Sequence, residues 1–119
     1  MSRYIIDKNK LEENIEIIKE KAGVPLIGVV KGNGYGFGIK EFSEILRDNG
    51  ISIFAITEVD DIPELRNVLD KEDILVMRST GIKSEAEIIA KNNCIATIGS
   101  LNAAQVMNAV SSELNTVTK

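Results

Sequence analysis

The sequence contains no histidine and only one cysteine, Cys94. Without histidine, the chain alone cannot supply a Ser-His-Asp triad, a Cys-His pair or a histidine-ligated metal site. One cysteine excludes an internal disulfide and a CxxC zinc site. Because Cys94 begins an apolar run, we expect a small buried side chain rather than a reactive thiol. Catalysis by this chain must therefore use lysine, tyrosine, carboxylates or a cofactor, and no metal.

A basic excess and a long apolar run are also missing. The chain has 14 basic and 18 acidic side chains and a net charge of −4, which argues against a nucleic-acid partner. No apolar run approaches the roughly 20 residues that span a bilayer. The segment Met1–Asp7 lacks the apolar core of a secretory signal peptide. These features predict a cytoplasmic protein without a membrane partner, and the 119 residues suffice for one domain.

Apolar spacing predicts an alternation of helices and strands along the chain. Helical spacing over 8–22 is bounded by a capping Asp7 and a terminating Gly23. Four further helices are predicted. The first covers 39–49, and the second begins at a capping box formed by Asp61 and Glu64. The third begins at Ser84 with Glu87, and the fourth begins at Ser100, which caps it. The predicted strands are Leu26–Val30, Ile51–Ile56, Ile74–Met77 and Cys94–Ile98, and residues 115–119 resemble the start of a fifth.

The spacing of these strands indicates a fold of the α/β class. Short strands that alternate with helices form right-handed βαβ units and a parallel sheet. The strands are apolar throughout, as expected where both faces of a sheet are covered. Two architectures fit, an open doubly wound sheet and part of a TIM-type (β/α)8 barrel. A complete barrel takes about 250 residues, so four units correspond to its first half.

The segment 29–38, VVKGNGYGFG, is the most informative part of the sequence. Glycine at four alternate positions predicts a loop with unusual backbone angles rather than a helix or strand. The segment matches neither the dinucleotide-binding glycine pattern nor a P-loop, in which the lysine follows the glycines. Its own lysine, Lys31, ends a buried strand, on the side where parallel barrels carry catalytic residues.

Two interpretations of Lys31 follow from this position. In the simpler one the lysine merely ends the strand in solvent. In the other, Val29 and Val30 partly desolvate the amine and favour its neutral form. A neutral amine can attack an aldehyde and form a Schiff base, and the glycines that follow make this second interpretation the stronger one.

The segment 29–38 resembles the pyridoxal-phosphate signature of the alanine racemase family. Lys31, Asn33, Tyr35, Gly36 and Gly38 match that signature position by position, while Phe37 stands where the family has histidine. Further similarities are the start at 4–7, the first helix, the pair 65–66 and the strand at 74–76. The resemblance extends over about residues 4–118.

The resemblance implies roles for four residues. Lys31 would form the Schiff base with pyridoxal 5'-phosphate and act as one of two acid–base groups at the substrate α-carbon. Tyr35 would donate a hydrogen bond to the cofactor phosphate, although a tyrosine that merely covers the loop is the alternative. Val29 and Met77 would line the cofactor pocket, or equally belong to the barrel core.

The resemblance also implies that 1–119 is the N-terminal portion of a longer barrel domain, truncated before the second half-barrel and the β domain. The family is dimeric, so we expect a homodimer or another self-associating form. The expected reaction interconverts L- and D-alanine, but the isolated chain would be inactive because the opposing tyrosine base is absent. Two alternatives stay open: a non-catalytic cofactor-binding, regulatory or structural module, and a racemase for another amino acid such as ornithine or serine.

Overall fold

The structure is a computed structural model that describes residues 7–35 and 38–119. The helices are α1 (Lys8–Ala22), α2 (Lys31–Tyr35), α3 (Ile39–Asp48), α4 (Ile62–Arg66), α5 (Lys83–Lys91) and α6 (Leu101–Glu113). The strands are β1 (Ile27–Val29), β2 (Ile53–Ile56) and β3 (Asp73–Val76), and a 3-10 turn at Val59–Asp61 precedes α4. Within the described ranges, no helix is long and apolar enough to cross a membrane.

The sheet is parallel and its strand order, β1-β2-β3, follows the chain. Crossovers between parallel strands are right-handed, so connections that all advance in one direction place their helices on one face. The helices pack accordingly, with α3 on α4, α4 on α5 and α5 on α6. A doubly wound sheet would reverse its strand order and carry helices on both faces. The chain is therefore an arc of a (β/α)8 barrel, and the first-half-barrel prediction is confirmed.

The two faces of the sheet differ in burial. The face beneath the helices is the core, where Phe54, Ile74 and Val76 are fully buried. The opposite face presents a row of four side chains in register, Val29, Ala55, Leu75 and Ile95. The prediction that both faces are covered is wrong for this chain, because three of these four side chains are partly exposed. We call this row, with its neighbours Ile27 and Ile53, the inner face.

Close packing explains why a glycine interrupts the apolar run of β1. A Cβ atom at Gly28 would lie 3.0 Å from Leu46 Cδ1 and 3.2 Å from Ile51 Cγ2. Both side chains are buried, so they have little room to yield. Gly28 thus lets α3 pack directly onto the first strand, the strand that leads to Lys31.

Three of the predicted helix boundaries are confirmed. The Asp7 carboxylate accepts a hydrogen bond from Lys10 N at 3.2 Å. The Ser100 hydroxyl accepts one from Ala103 N at 3.1 Å, and Gly23 ends α1 with φ of 62°. The Asp61 capping box is wrong because Asp61 has helical angles, φ −78° and ψ −15°, and its side chain caps nothing. The fifth helix begins before Ser84, at Lys83 after Ile82.

The fourth predicted strand forms one bridge rather than a ladder. Ile95 N donates to Ile74 O at 2.7 Å, and Ile95 O accepts from Val76 N at 2.9 Å. On the other side, Ala96 N donates to Lys119 O at 2.8 Å. The residues that resembled a fifth strand therefore reach the expected edge, although 115–119 adopt no regular strand.

Cys94 is buried, as predicted, with 1% of its surface exposed. Burial raises the pKa of its thiol to about 11, against the opposing influence of nearby Arg66. The thiol is therefore protonated at neutral pH and packs as a small apolar group.

Arg66, at the end of α4, donates hydrogen bonds to four backbone carbonyls at the amino-terminal edge of the sheet. Its Nε donates to Asn92 O at 2.9 Å, and its Nη1 donates to Leu69 O at 2.8 Å and Glu72 O at 2.7 Å. Its Nη2 donates to Asn93 O at 3.2 Å. One guanidinium thus satisfies carbonyl groups in the segment before β3 and in the segment after α5, an arrangement that the sequence pattern does not reveal.

Candidate functional site

Lys31 lies two residues after the end of the first strand, at the carboxyl-terminal edge of the sheet. Val30, fully buried, donates from its backbone N to Ala55 O at 3.0 Å and is the last described link between these two strands. Lys31 comes next and is the first residue of α2. The lysine is exposed in this chain, so the desolvation expected from Val29 and Val30 is not provided by the described residues.

The glycine segment after Lys31 is a short helix at first, not the loop that we predicted. Gly32 and Gly34 lie within α2 with φ of 61° and 67°, and Gly38 follows with φ of 89°. Only glycine adopts such angles without strain. At Gly34 a Cβ atom would lie 3.1 Å from Phe42 Cβ, whereas at Gly32 it would meet none of the described atoms within 4 Å. The backbone therefore turns tightly against α3 on one side and is open on the other.

Several residues of the predicted signature fall outside what the structure describes. These are residues 36 and 37, the side chains of Asn33 and Tyr35, and the N-terminal residues 1–6, including Tyr4. The backbone of Tyr35 ends α2, but the predicted contact of its hydroxyl with a phosphate stays a prediction.

Val29 and Met77 both lie on the inner face, at different levels. Val29 pairs with Ala55, which pairs with Leu75. Met77 follows two residues after Leu75, and its backbone N donates to Ile56 O at 2.8 Å. Lys31 likewise follows two residues after Val29. The structure thus brings Lys31 and Met77 to the same edge, on either side of the end of β2, with Val29 one level below.

A charged cluster at this edge was missed by the sequence analysis. Arg78 Nη2 and Glu85 Oε2 form an ion pair at 2.8 Å, and the Thr80 hydroxyl donates to Glu85 Oε1. Arg78 Nε also donates to Thr57 O at 3.4 Å. Hydrogen bonds from Arg78 and Thr80 lower the pKa of Glu85, and the Glu85 carboxylate raises the pKa of Arg78. The available signal was an arginine immediately after a strand with a glutamate seven residues later.

Comparison with known proteins agrees with this architecture. The family model described as the N-terminal domain of alanine racemase matches residues 6–119. An alanine racemase from Levilactobacillus brevis is 31% identical over 99 residues, which cover 82% of this chain and 26% of the relative. The solved alanine racemase of Clostridium difficile 630 superposes with a TM-score of 0.79 at 25% identity, over 95% of this chain and 30% of that one.

A solved histidine racemase from Leuconostoc mesenteroides subsp. sake has the same fold, with a TM-score of 0.82 at 19% identity over 93% of this chain and 30% of that one. The fold therefore does not determine the amino acid on which such a protein acts.

The arc of parallel βα units with a lysine after its first strand defines a partial barrel of the racemase type. The chain belongs to the alanine racemase family, and it matches the N-terminal domain of that family. It spans about 26–30% of the length of the relatives described here.

Proposed function

We propose that this chain carries the cofactor lysine of a pyridoxal 5'-phosphate-dependent amino-acid racemase, an isomerase that interconverts L- and D-alanine. The observation that supports this most strongly is the position of Lys31, two residues after the first strand of an arc that matches the alanine racemase family. The proposed cofactor-binding residues are Lys31, Tyr35, Val29 and Met77, with Lys31 as the catalytic residue. The family's bacterial relatives fit a cytoplasmic location for this chain.

The residues at the edge of the sheet fit such a cofactor. Lys31 offers an exposed primary amine, the group that condenses with an aldehyde. The open side of Gly32 leaves room for a ligand to approach the backbone closely. Met77 and Val29 supply partly exposed apolar surface on the same face of the sheet. A bound pyridoxal phosphate would supply an electron sink for the substrate α-carbon.

Each of the four proposed cofactor-binding residues then has a specific role. The Nζ of Lys31 would hold the cofactor covalently through the cofactor's aldehyde group. As an amine beside the substrate α-carbon, the Nζ of Lys31 would take a proton from that carbon, or return one, on its own side. Val29 and Met77 would exclude water beside the cofactor, and Tyr35 would donate a hydrogen bond to its phosphate.

Borohydride reduction should attach the cofactor to Lys31. We expect peptide mapping by mass spectrometry to find the reduced adduct mainly on Lys31, and Lys31→Ala to lose it. Lys91→Ala is the matched control, because Lys91 is an exposed lysine at the far end of α5 and should leave the labelling unchanged. Labelling spread over surface lysines, and equal in the Lys31→Ala variant, would contradict the proposal.

The inner face supports self-association of the chain. Ile27 is 52% exposed and Leu75 and Ile95 are partly exposed on the same face, and among the described residues β1 pairs on one side only, with β2, so an open strand edge and an apolar surface coincide. Two arcs related by a twofold axis would rebuild eight parallel strands and bury both inner faces.

Light scattering after size exclusion should therefore give a mass above that of one chain. A charge at Leu75, in Leu75→Glu, should shift the chain to the monomer. Ile17→Glu, on the exposed surface of α1, is the control and should not. A wild-type monomer at micromolar concentration would exclude this association.

A further inference from the structure

Beyond Lys31, the described part of the carboxyl-terminal edge holds a second feature that the proposed function does not use, the charged cluster of Arg78, Glu85 and Thr80. Arg78 follows Met77, and its side chain reaches the carbonyl of Thr57, the residue after β2, at 3.4 Å. Its guanidinium forms a bidentate ion pair with Glu85, a residue of α5: Nη2 lies 2.8 Å from Oε2, and Nη1 lies 3.3 Å from Oε1. The Thr80 hydroxyl, in the connection between β3 and α5, donates to the same carboxylate. Glu85 therefore holds two residues of this connection against α5.

The third contact of Arg78 connects the cluster to the end of β2. Arg78 Nε donates to the carbonyl of Thr57, the residue that follows β2. The regular ladders stop just before this point, with Val30 N on Ala55 O and Met77 N on Ile56 O. Arg78 therefore extends the lateral connection between β2 and β3 by one residue, to the level of Lys31 and Met77.

We infer that Arg78 is a positioning residue for the cofactor lysine. It holds the end of β2 against β3, and thereby sets the separation between Lys31 and Met77 on either side of Thr57. This inference rests on the proposed function of Lys31. The guanidinium is suited to the task because its fork can hold a carboxylate and a carbonyl at once, which an ammonium group cannot do with the same geometry.

Arg47 provides a matched control at the opposite edge of the sheet. It too pairs with a carboxylate, Asp48, at 3.0 Å and donates to a backbone carbonyl 21 residues away, that of Val68. The exposed side-chain fractions are similar, 35% for Arg47 and 40% for Arg78. Loss of either arginine should cost similar stability, but only Arg78 lies at the edge that carries Lys31.

The test measures the apparent dissociation constant of pyridoxal 5'-phosphate and the yield of the reduced Lys31 adduct, together with the urea midpoint of each variant. We expect Arg78→Ala to weaken cofactor binding roughly tenfold, since small displacements of a reacting group have large effects. Arg78→Lys should be as weak as Arg78→Ala, and Glu85→Gln should fall between wild type and these variants. Arg47→Ala should lower the urea midpoint while leaving the adduct at the wild-type yield.

The outcomes separate this inference from the function on which it rests. Failure of the wild-type chain to form an adduct on Lys31 would overturn the proposed function. A wild-type adduct on Lys31 with equal binding by Arg78→Ala and Arg47→Ala would overturn the role of Arg78 alone, as would full rescue by Arg78→Lys. Should Arg78→Ala fail to fold, the Arg78→Lys and Glu85→Gln variants decide the matter by the same criteria.

Discussion

Supplied with pyridoxal 5'-phosphate and L-alanine, the 119-residue chain should form no measurable D-alanine. Racemisation requires a proton to leave one face of the planar α-carbon and another to arrive on the opposite face. Lys31 can serve one face only, and Tyr35 is assigned to the phosphate. One positioned acid–base group contributes roughly 10²- to 10⁴-fold to a rate, so a site with Lys31 as its one such group would racemise alanine very slowly.

A chiral assay for D-alanine tests this expectation, and proton exchange in D2O supplies a second measurement. With one base, the α-proton of a single enantiomer should be replaced slowly by deuterium without inversion. The Lys31→Ala variant should lose this exchange as well. Sustained interconversion of L- and D-alanine by the chain alone, without a partner polypeptide, would show that a second proton donor is present in these 119 residues.

Replacing Arg66 with methionine should destabilise the chain by about 3 kcal/mol, because hydrogen bonds to charged groups contribute roughly 1.5–3 kcal/mol each where they are shielded from water. The guanidinium donates to four backbone carbonyls that connect the end of α4, the start of β3 and the segment after α5. Methionine fills a similar volume but leaves these carbonyls without their donor.

Urea denaturation measures the effect as a shift of the midpoint by about 1–2 M. Lys91→Met serves as the control, since Lys91 is an exposed cation near the same edge and should change the midpoint little. Arg66→Lys should recover less than half of the loss, because an ammonium group cannot reach all four acceptors. A midpoint for Arg66→Met equal to that of Lys91→Met would show that the network contributes no net stability.

The order of the elements was predictable because it depends on hydrophobic spacing, which is local. Helix α1, with Asp7 and Gly23 at its ends, follows from short-range rules alone. The choice between a doubly wound sheet and a barrel could not be made from local sequence, since it depends on which strands become neighbours. The family resemblance favoured the barrel, and the strand order β1-β2-β3 decides it.

The candidate site was predictable only where one residue dominates it. Lys31 is conspicuous because a lysine between an apolar strand and four glycines has few purely structural explanations. Arg78 and Arg66 were missed because each donates to backbone carbonyls, and Thr57, Asn92 and Asn93 are 21 to 27 residues away in the sequence. Backbone carbonyls are present at every position, so the sequence contains no signal of where such contacts form.

The chain-order arrangement of the strands has a consequence for how the protein is assembled. Partners across successive ladders are a nearly constant distance apart in sequence, as in Ile27 with Ile53, Ile53 with Asp73, and Leu75 with Ile95. Each described strand pairs with the strand that precedes it in the chain, so closure of each connection costs a similar and modest conformational entropy. Each βα unit can therefore dock on the one before it as the ribosome releases it, and the nascent edge strand is the template for the next.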